Sequence, residues 1–236
     1  MTMFASQWFA SLPFGGSNTA NDTSTTNAAT FTFSDQDIGG SDPTRVIAVA
    51  VGMGDNASDT SSSPRTISSV TVGGSSLTKQ IGASAVANGI EGFRAEIWSA
   101  VITSGETADI VVTMSGTIGS NRGVAISVHR LVGNVSAAPD ATASDNDDDG
   151  TTDPLTVSVN TQTNGYVICC GVSFKTAPNT ASWSGATELT DAMTGNIAQT
   201  AANHSATSDE TPRVITVTFT TGGNCQAAAS ASWFPG

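Results

Sequence analysis

A run of short apolar and alternating segments occurs twice along this chain, in the same order. The apolar block 46–53 is followed by a Gly- and Ser-rich turn, a polar strand ending in Leu77, a strand around Trp98, a Val/Ile/Thr strand over 110–114 and an alternating strand over 124–131. The segment 166–174 answers the first block, and 183–189 answers the Leu77 strand. Residues 197–204 answer the Trp98 strand, while 214–219 and 226–233 answer the last two. Short strands in such a series, divided by turn residues, build two packed antiparallel sheets. The chain therefore reads as all-β, an antiparallel, jelly-roll-like β-sandwich with an internal strand duplication.

A chain of 236 residues is long enough for one large sandwich or two small ones. Each half offers about six strands and would expose much apolar surface alone, so the preferred reading is one sandwich over 31–236. Its pseudo-repeats cover about 31–134 and 155–236, and the acidic stretch 135–154 serves as a long crossover. Every position of 46–51 is apolar, which marks a strand covered on both faces. The last strand alternates Ala227, Ala229, Ala231 and Trp233 against Gln226, Ser230 and Ser232. Small residues there imply close approach of another layer, open between this chain and a second subunit.

Residues 1–30 read as an N-terminal arm and linker. Phe4, Trp8, Phe9 and Leu12 fall at helical spacing before Pro13, which predicts a short amphipathic helix over 2–12, too short to be stable alone. The Gly/Ser/Asn/Thr composition of 15–30 predicts a flexible tether. The arm either folds onto its own sandwich or docks on a neighbour. With Trp233 and Phe234 at the other end, these four apolar side chains are the candidate partner-docking residues.

Charge excludes one class of partner. The net charge is −12, Lys79 and Lys175 are the only lysines, and the six arginines are scattered. Without clustered cations to displace counterions from phosphates, no nucleic-acid partner is expected. The N-terminus lacks the basic start and apolar core of a secretory signal, and no run approaches the roughly 18–20 apolar residues of a membrane span. The expectation is a chain made in the cytoplasm with no membrane partner. Cys169, Cys170 and Cys225 form an odd set without metal-type spacing and read as buried thiols.

Few residues suggest chemistry. Asp145, Asp147 and Asp149, followed by Gly150 and Asp153, fit the first half of a calcium-loop pattern, in which alternate carboxylates converge on a hard cation. Thr156 stands where the bidentate Glu belongs, and a solvated acidic loop is the competing reading. His129 and His204, the only histidines, read as exposed strand residues. Glu91, Glu96, Asp109 and Glu188 do not single out a glycosidase pair. Among the tryptophans Trp98 reads as core, while Trp183, between two serines in an expected loop, is the candidate glycan contact.

The chain resembles β-sandwich structural proteins of tailed bacteriophages, of the head-decoration and fibre-like kinds. The resemblance is carried by residues 69–77 (SVTVGGSSL), Glu96-Ile97-Trp98, Gly105 and residues 109–113 (DIVVT), and with the second half it covers roughly 31–236. It implies a non-enzymatic virion protein made in the host cytoplasm. Such a protein self-associates, often as a trimer, and decorates the capsid by binding the major capsid or another virion protein; no catalytic residues transfer. The alternative is a carbohydrate-binding or adhesin module of a tail fibre or cell surface, with a host glycan held at Trp183 and calcium at the acidic loop.

Overall fold

The computed structural model describes residues 14–56, 63–87, 91–133, 135–149, 153–174, 180–220 and 225–235. The strands of the first half are β1 (Gly15–Ser24), β2 (Thr30–Asp37), β3 (Val46–Gly54), β4 (Ile67–Val72), β5 (Ser75–Ser76), β6 (Thr78–Ala87), β7 (Glu91–Val101), β8 (Thr107–Met114) and β9 (Val124–Val132). The second half supplies β10 (Ala141–Asp147), β11 (Leu155–Thr156), β12 (Val159–Thr161), β13 (Tyr166–Phe174) and β14 (Ala181–Ser184). It continues with β15 (Thr187–Thr194), β16 (Ile197–Ser205), β17 (Glu210–Arg213), β18 (Thr216–Phe219) and β19 (Gln226–Trp233). The fold is all-β and antiparallel throughout, as the alternation in the sequence requires.

The duplication extends to sheet topology. The first half forms a five-stranded sheet in the order β1-β9-β3-β7-β6, and the second a five-stranded sheet in the order β10-β19-β13-β16-β15. The covering sheets also correspond, as β2-β8-β4-β5 and β11-β18-β14, with β12-β17 as a two-stranded addition. Where the sequence reading places one sandwich over 31–236, sheet membership separates a sandwich built from strands within 15–132 from another built within 141–233.

Four layers result, enclosing three apolar cores. β3 shows why its sequence is continuously apolar: Ile47, Val49, Val51 and Met53 pack toward the first covering sheet. Val46, Ala48 and Ala50 face the other way, onto the second sandwich. β13 does the same, sending Tyr166, Ile168, Cys170 and Val172 to the shared middle core and Val167 and Cys169 to the far one. The layer that the alanines of β19 approach is β6 and β7 of the same chain. These small side chains let the two five-stranded sheets pack closely, and Trp233 fills the end of the same core.

The middle layers lie with their equivalent strands in opposite lateral order. β6 packs on β10 and β19, β3 on β13, and β1 on β15. Gln199 and Ile197, opposite Val172 and Phe174 on β16, reach Gly52 and Gly54 of β3: Gln199 Nε2 donates to the Gly52 carbonyl (2.6 Å), and Ile197 occupies the space above Gly54. β3 and β13 therefore end at the same pole. This is a two-fold-like relation between the sandwiches, the arrangement of an isologous dimer inside one chain.

Two expected connections are strands. Residues 15–24, read as tether, pair along β9 as β1, and residues 141–147 of the acidic stretch 135–154 pair along β19 as β10. Both are polar edge strands, joined to their sheets by backbone hydrogen bonds on one side. They need little apolar alternation and leave little trace of it in the sequence.

Candidate functional site

The residues singled out from sequence do not converge on one place. Phe4, Trp8, Phe9 and Leu12 lie outside the described residues. Trp233 has no exposed surface, so its ring is core and not a contact for a partner; the alanine-rich strand ends against the facing sheet and covers it. Phe234 is half-buried, its N–H bound to Asp140 Oδ2 (3.0 Å). Trp183 sits on β14 and not in a loop. Its ring packs against the far core beside Gly171, and its indole N–H donates to Thr200 Oγ1 (2.8 Å).

The acidic run is also differently placed. Asp145 and Asp147 point to one side of strand β10, and Asp147 is buried. Asp145 Oδ2 accepts from Thr156 N (2.8 Å), Asp147 Oδ1 from Asp149 N (3.0 Å), and Asp148 Oδ1 from Val86 N (2.9 Å). These carboxylates satisfy backbone donors at strand ends. Asp149 and Asp153 are exposed, and Gly150 lies outside the described residues. Among the described residues no three His, Cys, Asp or Glu side chains form a group able to hold a metal ion.

His129 is fully buried, not exposed. Its Nε2 lies 3.0 Å from Ser127 Oγ and its Nδ1 3.1 Å from the Tyr166 hydroxyl across the middle core. Asn18 Nδ2 donates to Ser127 Oγ (2.9 Å), and Asn203 Nδ2 donates to the Tyr166 oxygen (2.7 Å). Five neutral side chains thus form one hydrogen-bonded line from β1 to β16. Burial pushes the His129 pKa down to about 3, so the ring is neutral at ordinary pH. Ser127 and His129 hold a nucleophile–base separation, but both are buried and the histidine is oriented by a phenol, so the pair works as structural glue between sandwiches.

Other polar groups are occupied in the same way. Arg45, wholly buried, donates to the carbonyls of Ile102, Gly39 and Ser104, each at 2.6 Å, and also to those of Gly40 and Gly105. It pins two loops at the pole where β3 begins. Glu96, 1% exposed, accepts from Lys79 Nζ (2.7 Å) and Trp98 Nε1 (3.0 Å). Glu91 and Glu96 stand five positions apart on β7 and are tied to different cations, Arg122 and Lys79. His204 and Arg213 both contact Glu210, at 3.1 and 3.3 Å. Burial raises the thiol pKa values of Cys169, Cys170 and Cys225, that of Cys170 to about 12, and all three are free.

The pole where β3 ends gathers charge. Asp55 is fully buried, and its Oδ2 accepts from Arg65 N (2.7 Å), while Oδ1 has no hydrogen-bond partner among the described residues. Burial raises its carboxyl pKa to about 6, against the opposing pull of Arg65 and Arg122. Arg122 bonds Glu91 (2.9 Å) and lies 4.8 Å from the ring centroid of Phe174, a cation–π contact joining the sandwiches. Sequence reasoning missed Asp55, Arg45 and the His129 line. Single polar letters inside apolar runs carry that signal, and only the partner across the sheet reveals it.

Outward, the covering sheets present hydroxyls. Thr30, Thr32 and Ser34 are exposed on one, and Thr156, Ser182 and Ser184 on the other. No helix of the described residues is long and apolar enough to cross a membrane. Comparisons with protein-family models, curated proteins and solved structures found no match to this chain.

Proposed function

We propose that this chain is a non-enzymatic structural protein of a phage virion, decorating the capsid as a homo-oligomer, a trimer on the pattern of decoration proteins, and binding the major capsid protein. The observation that carries the reading is the pairing of a four-layer scaffold with three apolar cores and outer sheets faced by exposed Thr and Ser. Such faces allow close lateral contact without ion desolvation, and the acidic net charge keeps free copies soluble. Glu91, Glu96, Asp109, His129 and His204 are engaged in hydrogen bonds within the scaffold. Attachment through the aromatic arm is part of the proposal. Mass spectrometry of purified virions tests it: the protein is expected in many copies per particle, and its presence only in the soluble fraction of infected cells refutes the idea.

The alternative of a carbohydrate-binding or adhesin module draws support from the same hydroxyl-bearing faces. Binding of the full chain on a glycan array, weakened when Thr32 or Ser182 is replaced by a charged residue, would favour it over capsid decoration.

A further inference from the structure

At the pole where β3 and β13 end, the last core row of each sandwich is built from different chemistry. In the first, Ser24, Val124, Met53 and Arg94 lie side by side across β1, β9, β3 and β7. Val124 and Met53 have no exposed surface and belong to the core under the covering sheet. In the second, the corresponding row is Asp147, Gln226, Ser173 and Ala198, across β10, β19, β13 and β16. Met53 and Ser173 are each the last residue but one of their strands. Alternation turns Asp147, Gln226 and Ser173 to the side on which Ala143, Ala228 and Cys169 meet the far core. A buried amide and a buried hydroxyl thus stand where the first sandwich has two apolar core side chains, beside a carboxylate that is only 6% exposed.

Gln226 does not fit a purely structural account of this row. It is fully buried, and neither its Nε2 nor its Oε1 has a hydrogen-bond partner among the described residues. An amide left unbonded away from water costs stability that a valine in the same place does not. Such a group is kept in a native protein where an ion or a water completes it. The neighbours favour an ion. Asp147 is paired directly with Gln226, and Asp148 and Asp149 follow it at the end of β10. Carboxylate, amide carbonyl and hydroxyl oxygens are hard donors of the kind that calcium takes, in a flexible shell; magnesium demands a stricter octahedron and sheds its water reluctantly.

We propose that Asp147, Gln226 and Ser173 bind a calcium ion at the end of the far core, Asp147 through its carboxylate, Gln226 through Oε1 and Ser173 through Oγ, with water completing the shell. The ion ties the edge strand β10 to β19 and β13. Its donor set shares only Asp147 with the calcium-loop pattern read from the sequence. The inference is separate from the virion reading, because its test uses the free protein alone.

Thermal unfolding of the full chain in calcium chloride and in chelator tests the site. With a dissociation constant on the order of 10⁻⁴–10⁻³ M, about 10 mM calcium should raise the melting temperature by about 3 °C or more, and magnesium should raise it less. Equal melting temperatures in calcium and chelator overturn the proposal. Gln226→Val restores the side chain that the first sandwich carries in this row, so the variant is expected to fold and to bind calcium at least about tenfold more weakly in titration calorimetry. Asp147→Asn should abolish binding. An unchanged calcium affinity in either variant overturns the proposal. A calcium response that survives Gln226→Val and is lost in Asp153→Asn would assign the ion to the acidic loop, and overturns it equally.

Discussion

The two sandwiches place their bulk in opposite layers. In the first, Trp98 projects from the five-stranded sheet into the core, and its indole N–H donates to Glu96 on the same strand. In the second, the residue paired in register with the central strand at the matching position is Ala202, and the indole comes from the covering sheet, as Trp183. It donates to Thr200, whose partner Gly171 corresponds to Val51, the partner of Glu96. The same site on the fourth strand of each sheet thus accepts from an indole delivered by different layers. Volume and a hydrogen-bond acceptor are held constant, while residue identity is free to move between facing elements. Gly171 belongs to this exchange, because Trp183 covers the space where Val51 stands in the first sandwich.

Removing the two indoles should separate the sandwiches most. Trp98→Ala empties a buried site and leaves Glu96 without one donor, so a loss of about 3–5 kcal/mol is expected in denaturant unfolding. A loss below about 1 kcal/mol would mean that this indole is not a core element of the first sandwich.

The next effects arise where the equivalence stops. Asp55 binds its proton more tightly when folded than unfolded, since its pKa rises from 3.8 to about 6. Its contribution is therefore fully present below about pH 4 and is lost as pH rises through about 6, amounting to up to about 3 kcal/mol. Asp55→Asn, which still accepts from Arg65 N, should abolish that slope in melting temperature against pH. His129, which has Ala231 at the matching position, has the opposite sign. Its pKa falls from 6.5 to about 3 on folding, so stability present above about pH 6.5 is lost as pH drops toward 3. His129→Gln should flatten this acid limb, and an unchanged limb would show that carboxylates alone cause acid unfolding.

Trp183 is half-buried, so Trp183→Ala should cost less than its counterpart, about 2 kcal/mol by the same unfolding assay. The smallest effect is expected at Gly171. A Cβ there would meet Thr200 at 3.2 Å and Trp183 at 3.6 Å. Gly171→Ala should change stability by less than about 1 kcal/mol in the native background and become favourable when Trp183 is Val. Simple additivity of the two substitutions would break the proposed exchange.

Much of this architecture is legible in the sequence. Strands such as β3 and β13 announce themselves because both faces are covered and every letter must be apolar. The order of repeats is readable because each core strand repeats its pattern. β1 and β10 are not readable this way, since an edge strand exposed along one side tolerates Asn, Thr and Asp. Their pairing is set by neighbours about a hundred residues away. The site was less legible for a related reason: Trp183 between serines looks exposed, and His129 looks solvated, until Gly171 and Tyr166 supply the cover from across the sheet. The alternation of Ala227, Ala229 and Ala231 correctly signals a close layer, but cannot say which chain provides it.

The pairing of β1 with β9, and of β10 with β19, also sets a timetable for synthesis. Each sandwich has its first and last strands as neighbours, so neither can close until its final segment has left the ribosome tunnel. The first unit closes early yet still presents its Val46, Ala48 and Ala50 face uncovered until β13 and β19 arrive. A nascent chain stalled between the halves would carry a finished but sticky sheet, and slow translation across the junction would lengthen its exposure to aggregation and its need for chaperones.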